Sequence, residues 1–321
     1  MTRLLVFIPC LNEAESLSEL IKSIPKKLDG IDDIAVLVID DGSTDETVAL
    51  AKSLKVEILS HKVNKGLGAV FRTASEFALV NKFDYLVIID GDLQFDPCEI
   101  PNLVAPLVEN QTEVVIGNRF SLDSTIVHMG HPKRIGNKIV TRVINILTKA
   151  NYRDVSSGFR AYTREALLRL NTNFDFNFSQ EILLEISFHK LKVIEVPVTV
   201  KYFKGRESRV ANNLIRYGLK ITKTILRTYR DLFPLKFFWF FSAVNFLPSL
   251  FFGTIFLVHF SRTGKFTGYL FAGFTSAYFL AVSILFFVVG IIADMLARIR
   301  RNQESALYLL KKLQSSKSQI N

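Results

Sequence analysis

Five short runs in the first 120 residues are apolar almost without interruption: LLVFIP (4–9), IAVLVID (34–40), VEILS (56–60), YLVIID (85–90) and VVIG (114–117). Half-exposed strands alternate apolar and polar positions, so runs of this continuity predict strands buried on both faces. Amphipathic stretches at about 14–27, 44–54, 66–81 and 98–109 lie between them and predict helices. Strand–helix alternation of this kind predicts an α/β domain built on an open, mostly parallel sheet with helices on both sides. KVIEVPVTVKY (192–202) adds one alternating strand, and the soluble domain is expected to end soon after it.

Beyond residue 210 the pattern changes. In ANNLIRYGLKITKTILRTYRDLFP, the residues Arg216, Lys220, Lys223, Arg227 and Arg230 recur at spacings of four and three, along one helical face. This predicts a basic amphipathic helix suited to a membrane surface; a solvated helix packed on its own domain is the alternative. Residues 237–260 carry no formal charge, nor do Tyr269–Ala293, with Pro248 a candidate kink in the first run. About 20 apolar residues span a bilayer core, so two transmembrane helices are expected. Their connection holds Arg262 and Lys265, whereas both outer flanks are rich in Lys and Arg. By the positive-inside rule, the N-terminal domain and the C-terminal tail are expected in the cytoplasm of an integral membrane protein. The expected organisation is a catalytic domain (1–209), an interface helix (210–232), a membrane hairpin (233–294) and a helical tail (295–321).

Composition sharpens this picture. Forty Lys and Arg against 30 Asp and Glu give a net charge of +10, which favours partners that carry phosphate. Two cysteines are too few for a disulfide framework or a cysteine-rich zinc site, and the five histidines show no paired spacing. The apolar run in MTRLLVFIPC is too short for a signal-peptide core and reads as the first strand.

Candidate chemistry gathers where the strands end. Asn12-Glu13 follows the first strand, Asp40-Asp41-Gly42-Ser43 the second and Asp90–Gln94 the fourth. Ligands of open α/β sheets bind beyond the carboxyl ends of the strands. The acidic stretch VIIDGDLQFDP either caps the next helix or holds a metal ion. Asp90 ends a buried strand, Gly91 lets backbone approach a ligand, and Gln94 supplies a further oxygen. That setting favours a hard divalent cation, Mg²⁺ or Mn²⁺, shared with substrate phosphates. NKGLGAVF (64–71) is a poor dinucleotide fingerprint, because Phe71 stands where the third glycine belongs. A glycine-bearing loop that opens a helix near an anion remains a reading of it.

FIPCLNEAESL, VLVIDDGSTDET, NKGLGAVFRTA, DYLVIIDGDLQFDP, IGNRF and DVSSGFRAYTREAL, in this order, resemble the inverting family 2 glycosyltransferases of GT-A fold. More narrowly, the chain resembles polyprenyl-phosphate (dolichyl- or undecaprenyl-phosphate) hexose synthases over residues 4–209, and its hairpin suits the two-helix members. The resemblance implies that Pro9, Leu11, Asn12, Glu13 and Asp41 line a nucleotide pocket, with Leu11 where an aromatic residue is usual. It implies that Asp90, Gly91, Asp92 and Gln94 hold the donor diphosphate and the divalent ion, with Gly91 in place of the usual alanine. Arg119, Arg134, Arg206 and Arg209 are implied as grips for the acceptor phosphate, and Asp154 as a positioning group or base. Asp92, Asp154 and Arg119 are the implied catalytic residues. The expected partners are a sugar nucleotide, a polyprenyl phosphate, the bilayer and further copies of the chain in a homo-oligomer, with no nucleic acid. UDP-glucose and GDP-mannose both remain open as donor. The alternatives are another lipid or glycan acceptor, an inactive membrane-tethered nucleotide-binding protein, and a nicotinamide-dependent dehydrogenase.

Overall fold

The computed structural model describes residues 1–121, 126–127, 131–170, 178–201 and 214–317. The chain divides into two units, one of Met1–Ile225 with Leu307–Asn321 and one of Leu226–Ala306.

The first unit contains strands β1 (Arg3–Cys10), β2 (Asp33–Asp40), β3 (Glu57–Ser60), β4 (Tyr85–Ile88), β5 (Val114–Asn118), β6 (Ile126–Val127), β7 (Arg160–Thr163), β8 (Val193–Pro197) and β9 (Val200–Lys201). Seven of them form one sheet in the order β3-β2-β1-β4-β7-β5-β8, while β6 and β9 pair separately. All neighbours in the large sheet are parallel except β7, which runs antiparallel between β4 and β5. The continuous apolar runs behave as expected. In β1, Leu4, Leu5, Val6, Phe7 and Ile8 are all fully buried, because β1 is central and covered on both faces. Each such side chain contributes about 1.5–3 kcal/mol through burial.

Helices α1 (Ala14–Ser23), α2 (Thr47–Ser53), α3 (Leu67–Val80) and α4 (Ile100–Val108) fall within or close to the predicted stretches. They are followed by α5 (His131–Thr148), α6 (Arg164–Arg169), α7 (Phe178–Phe188) and α8 (Leu214–Leu232). Along α8, Lys223, Arg227 and Arg230 are exposed while Ile225 is buried. Helix α5 exposes an unforeseen apolar stripe of Ile135, Ile139, Val143 and Ile146.

The second unit is dominated by α9 (Pro234–Thr263) and most of α10 (Leu270–Lys317), both long and apolar enough to cross a membrane. Pro248 lies inside an uninterrupted α9, and Gly264 at φ 67° ends that helix in the left-handed region that glycine adopts without strain. Ser242 and Ser249 stand seven residues apart on α9, facing Ser283 and Ser276, seven apart on α10. Each serine donates to the partner's carbonyl at 2.8–3.0 Å, in two reciprocal pairs. Seven-residue spacing keeps the same faces together along two helices packed at a shallow angle, and small residues let the backbones approach. A Cβ on Gly253 would stand 2.8 Å from Ser276 Oγ, so a larger residue there would displace that hydroxyl. Helix α10 carries both the second apolar run and the tail that were expected as separate segments. Within the first unit, Tyr308 near its end donates to Glu165 Oε1 at 3.1 Å.

Candidate active site

The sheet order reverses at β1, whose neighbours β2 and β4 lead to opposite edges. A crevice opens beyond the strand ends at such a point, and the polar loops meet there. The loop after β1 is laced to the loop after β2. Asn12 N donates to Ser43 Oγ (2.8 Å), Asn12 Oδ1 accepts from Thr44 N (2.7 Å) and Glu13 N donates to Thr47 Oγ1 (2.9 Å). Asn12 takes φ 54°, a left-handed conformation that asparagine tolerates better than most residues. Pro9, Leu11, Asn12 and Glu13 thus share one partly accessible wall.

Beside them lies the acidic turn. Ser16 Oγ donates to the carbonyl of Gly91 (2.6 Å) and lies 3.3 Å from Glu13 Oε2, which fixes the turn against α1. Gly91 is tightly enclosed: a Cβ there would meet Pro9 O at 3.2 Å and Cys10 Sγ at 3.3 Å. Leu93 is held at φ 56°, unusual for leucine, and Gln94 N donates to Asp92 Oδ1 at 3.1 Å. The structure shows the capping role at one residue of the acidic stretch. Asp96 caps the next helical turn by accepting from Cys98 N (2.9 Å), whereas Asp90 and Asp92 stand close enough for each to feel the other's charge. Asp90 keeps some accessible surface but sits deep among protein atoms. Loss of hydration, then the like charge of Asp92, pushes its carboxyl up to about 7; Glu13 adds to this, and Arg119 and Arg160 oppose it.

That crowding of acid is the observation that fits a cation. Two close carboxylates that repel each other's charge would both ionise readily around a divalent ion. Among the described residues no three His, Cys, Asp or Glu side chains converge at metal distance. Two carboxylates alone, as at Asp90 and Asp92, would leave most positions around a divalent cation such as Mg²⁺ to water and substrate phosphate.

The antiparallel strand β7 supplies the other wall. Arg160 pairs in register with Ile88 of β4 and Ile116 of β5 and is fully buried. Its Nη2 donates to the carbonyls of Ser179 (2.9 Å) and Val155 (3.2 Å). Just before it, Gly158 lies against Asp90: a Cβ there would stand 2.7 Å from Asp90 Oδ2. Arg119 and Asp154 form a buried fork, with Nε to Oδ2 at 2.6 Å and Nη2 to Oδ1 at 2.9 Å. Asp154 also accepts from the backbone N of Arg119 (3.2 Å) and of Ser156 (3.2 Å). Glu195 of β8 anchors this loop by accepting from the amides of Arg153 and Asp154, and burial raises its pKa.

The structure brings Glu13, Asp92, Arg119 and Arg160 within electrostatic reach of Asp90, sets Gly91 against Pro9 and Glu13, bonds Gln94 N to Asp92 and holds Asp154 on Arg119; Leu11 and Asn12 stand between Pro9 and Glu13 in the same loop. Asp41 directs its carboxylate to the protein itself, accepting from His61 and from the amides of Lys65 and Gly66. Arg134 is exposed on the first turn of α5, and Arg206 and Arg209 lie outside the described residues. Sequence reasoning assigned no role to Ser16, His61, Gly158, Arg160 or Glu195. Gly158 and Arg160 had a signal, since both stand in the quoted stretch DVSSGFRAYTREAL. An open cavity of about 470 Å³ at the far end of the strands, lined by Tyr85, Glu113, Thr163 and Arg164, contains none of these groups.

Comparison with known proteins bears on the family and the fold. The profile of "Glycosyl transferase family 2" matches residues 5–170. A dolichol-phosphate mannosyltransferase of Pyrococcus furiosus is 30% identical over 65% of this chain and 60% of its own. A polyprenol monophosphomannose synthase of Mycolicibacterium smegmatis is 26% identical over 68% of this chain and 84% of its own. Glucosyl-3-phosphoglycerate synthase of Mycobacterium tuberculosis, solved with Mn²⁺, UDP-glucose and phosphoglyceric acid, shares the fold with a TM-score of 0.54 at 23% identity, over 71% of this chain and 80% of that one. With ordered motifs and a profile match over more than half its length, the chain belongs to glycosyltransferase family 2.

Proposed function

We propose that the protein transfers a hexose from a nucleoside-diphosphate sugar to polyprenyl phosphate at the cytoplasmic face of a membrane, with inversion at the anomeric carbon. The observation that carries this reading is the crowded Asp90–Asp92 pair at the strand ends, beside the buried Arg119–Asp154 fork, in a chain with two long apolar helices. Relatives named for dolichyl, polyprenol and undecaprenyl phosphate point to the same acceptor.

In this reading the wall of Pro9, Leu11, Asn12 and Glu13 receives the nucleoside, and Asp90, Asp92 and Gln94 would hold Mg²⁺ or Mn²⁺. The bound ion would neutralise charge on the departing diphosphate. A lipid phosphate is already largely ionised near pH 7, so the acceptor needs positioning more than deprotonation. Asp154 fits that division of labour. Its oxygens are occupied by Arg119 and two backbone amides, so it orients Arg119 rather than removing a proton. Arg134, and Arg206 and Arg209 beyond it, would supply further positive charge to the phosphate. On α5, the stripe from Ile135 to Ile146, with the exposed Arg134 and Lys138 beside it, suits the headgroup region of a bilayer. The basic outer flanks of the two apolar helices favour the cytoplasmic orientation.

The test is a donor panel on purified protein in vesicles that contain polyprenyl phosphate, with Mg²⁺ or Mn²⁺, scored for glycolipid. UDP- and GDP-linked hexoses are compared with their N-acetylated forms, and Asp92→Asn serves as the control. Product from one donor class with wild type and none with Asp92→Asn is expected. Near-wild-type turnover by Asp92→Asn would remove the metal assignment, and absence of product from every donor would remove the acceptor assignment.

A further inference from the structure

Outside the acid pair, one buried carboxylate gathers two loops around itself. Asp41 follows β2 and its side chain is 8% exposed; His61 follows β3 and its side chain is 10% exposed. Asp41 Oδ1 accepts from His61 Nδ1 at 2.8 Å and from the amide of Lys65 at 3.0 Å. Asp41 Oδ2 accepts from the amide of Gly66 at 2.7 Å, immediately before α3. The second ring nitrogen of His61, Nε2, lies 3.1 Å from Thr73 Oγ1 on α3. The ring is therefore held at both ends, between the end of β2 and the body of α3. The neighbouring turn is pressed onto the same loop: Gly42 has φ 84°, and a Cβ there would stand 3.0 Å from Asn64 N. Through Ser43, that turn is also bonded to Asn12 of the donor wall.

We infer that His61 is a positioning residue for the sugar nucleotide. By holding the Asp41 carboxylate in the rotamer that draws in the Lys65 and Gly66 amides, it sets the wall that the 41–43 turn and the 64–66 loop present to the nucleoside. This rests on the donor-site reading above. A carboxylate with two amides and an imidazole converging on it is fixed by charge-assisted bonds, each stronger than a neutral one. Without the imidazole, Asp41 loses the partner that fixes its orientation, and the 64–66 loop loses its register.

Three variants test this, with affinity for UDP and GDP measured directly and steady-state kinetics measured on the donor that works. His61→Leu removes both ring bonds. His61→Asn keeps an N–H donor near the Nδ1 position. Thr73→Val removes the outer anchor while keeping the shape. His61→Leu is expected to weaken nucleotide binding and raise the donor KM by about tenfold, the order of one lost charge-assisted bond, with kcat changed less than about threefold. His61→Asn should return both to within about threefold of wild type, and Thr73→Val should fall between them. If His61→Leu does not fold, the ordering of Thr73→Val and His61→Asn carries the test. Unchanged donor KM in these variants, or equal loss in kcat with no change in KM, overturns the role of His61 while leaving the donor site in place. Failure of the wild type to bind either nucleotide overturns both.

Discussion

Adding one methyl group at Gly158 isolates the contribution of the antiparallel strand to the acid pair. A Cβ at that position stands 2.7 Å from Asp90 Oδ2, 3.1 Å from Oδ1 and 3.2 Å from Cγ, whereas ordinary contact begins near 3.4 Å. The carboxylate must therefore retreat by roughly 0.7 Å, and it retreats from a position also shaped by Asp92, Glu13, Arg119 and Arg160. A misplacement near 1 Å costs on the order of 10²-fold in rate, so Gly158→Ala should lose roughly 30- to 100-fold in glycosyl transfer. Overpacking a tight site costs about 1–3 kcal/mol, so the variant should still fold. Gly136→Ala on α5 is the matched control: a Cβ there meets nothing within 4 Å. In a helix interior that change should be neutral or stabilise by about 0.5–1 kcal/mol. The assay is kcat/KM for transfer in vesicles, with Mn²⁺ affinity and melting temperature measured on the same preparations. Gly158→Ala within threefold of wild type, with unchanged Mn²⁺ affinity, would refute the contact as a constraint on the acid pair.

Breaking the Arg119–Asp154 fork from one side leaves a buried charge, which typically costs about 3–5 kcal/mol; thermal melting of Asp154→Ala should show that loss. The paired replacement Arg119→Met with Asp154→Leu should recover most of the stability and none of the transfer, and recovery of transfer would dismiss the fork from the chemistry. Asp90 ties metal to pH. An aspartate in the unfolded chain ionises near 3.8, and Asp90 in the folded metal-free chain near 7. Between these values the folded state binds more protons, so without metal stability falls as pH rises, and Mn²⁺ should raise the melting temperature more at pH 8 than at pH 6. Equal metal effects at both pH values would contradict the assignment. In the hairpin, replacing Ser242 and Ser283 together with alanine should cost about 0.6–2 kcal/mol, read by detergent or steric-trap unfolding. Phe246→Ala, at an exposed position of the same helix, is the near-neutral comparison, and an equal loss there would remove the special role of the serine pair.

The parallel part of the sheet was legible because its strands obey one rule: apolar runs buried on both faces, each followed by its functional loop. Asn12, Glu13, Asp90 and Asp92 were found that way, and all stand on the rim where the strands end. RAYT, the β7 strand, escaped because four residues with an arginine and a threonine carry too little hydrophobic pattern. Its arginine is buried by tertiary packing against β4 and β5, which no local propensity encodes. The apolar stripe of α5 escaped too, because its basic residues hide the periodicity of Ile135, Ile139, Val143 and Ile146. The bonding of Asp41 was hidden for a different reason: His61, which holds its carboxylate, is 20 residues away and belongs to another loop.

The reversal of β7 also explains why the second wall of the crevice was harder to see than the first. A parallel strand delivers its functional residues after it ends, so the place to look is just beyond each apolar run. An antiparallel strand inserted among them delivers residues before it begins. Arg160 opens β7 opposite Ile88, and Gly158 precedes it, which places both at the carboxyl end of β4 beside Asp90. Asp154 lies earlier still and reaches Arg119, just past the end of β5. One reversed strand therefore carries the stretch from 154 to 160 across two neighbouring strand ends. It sets the acid pair against Gly158 and the Arg119 fork against Asp154 in a single passage of the chain. The consequence is a coupling between the two walls. A change that shifts β7 along its neighbours should disturb metal affinity and acceptor transfer together, whereas a change at Asn12, which bonds to the loop after β2, should act mainly on nucleotide binding.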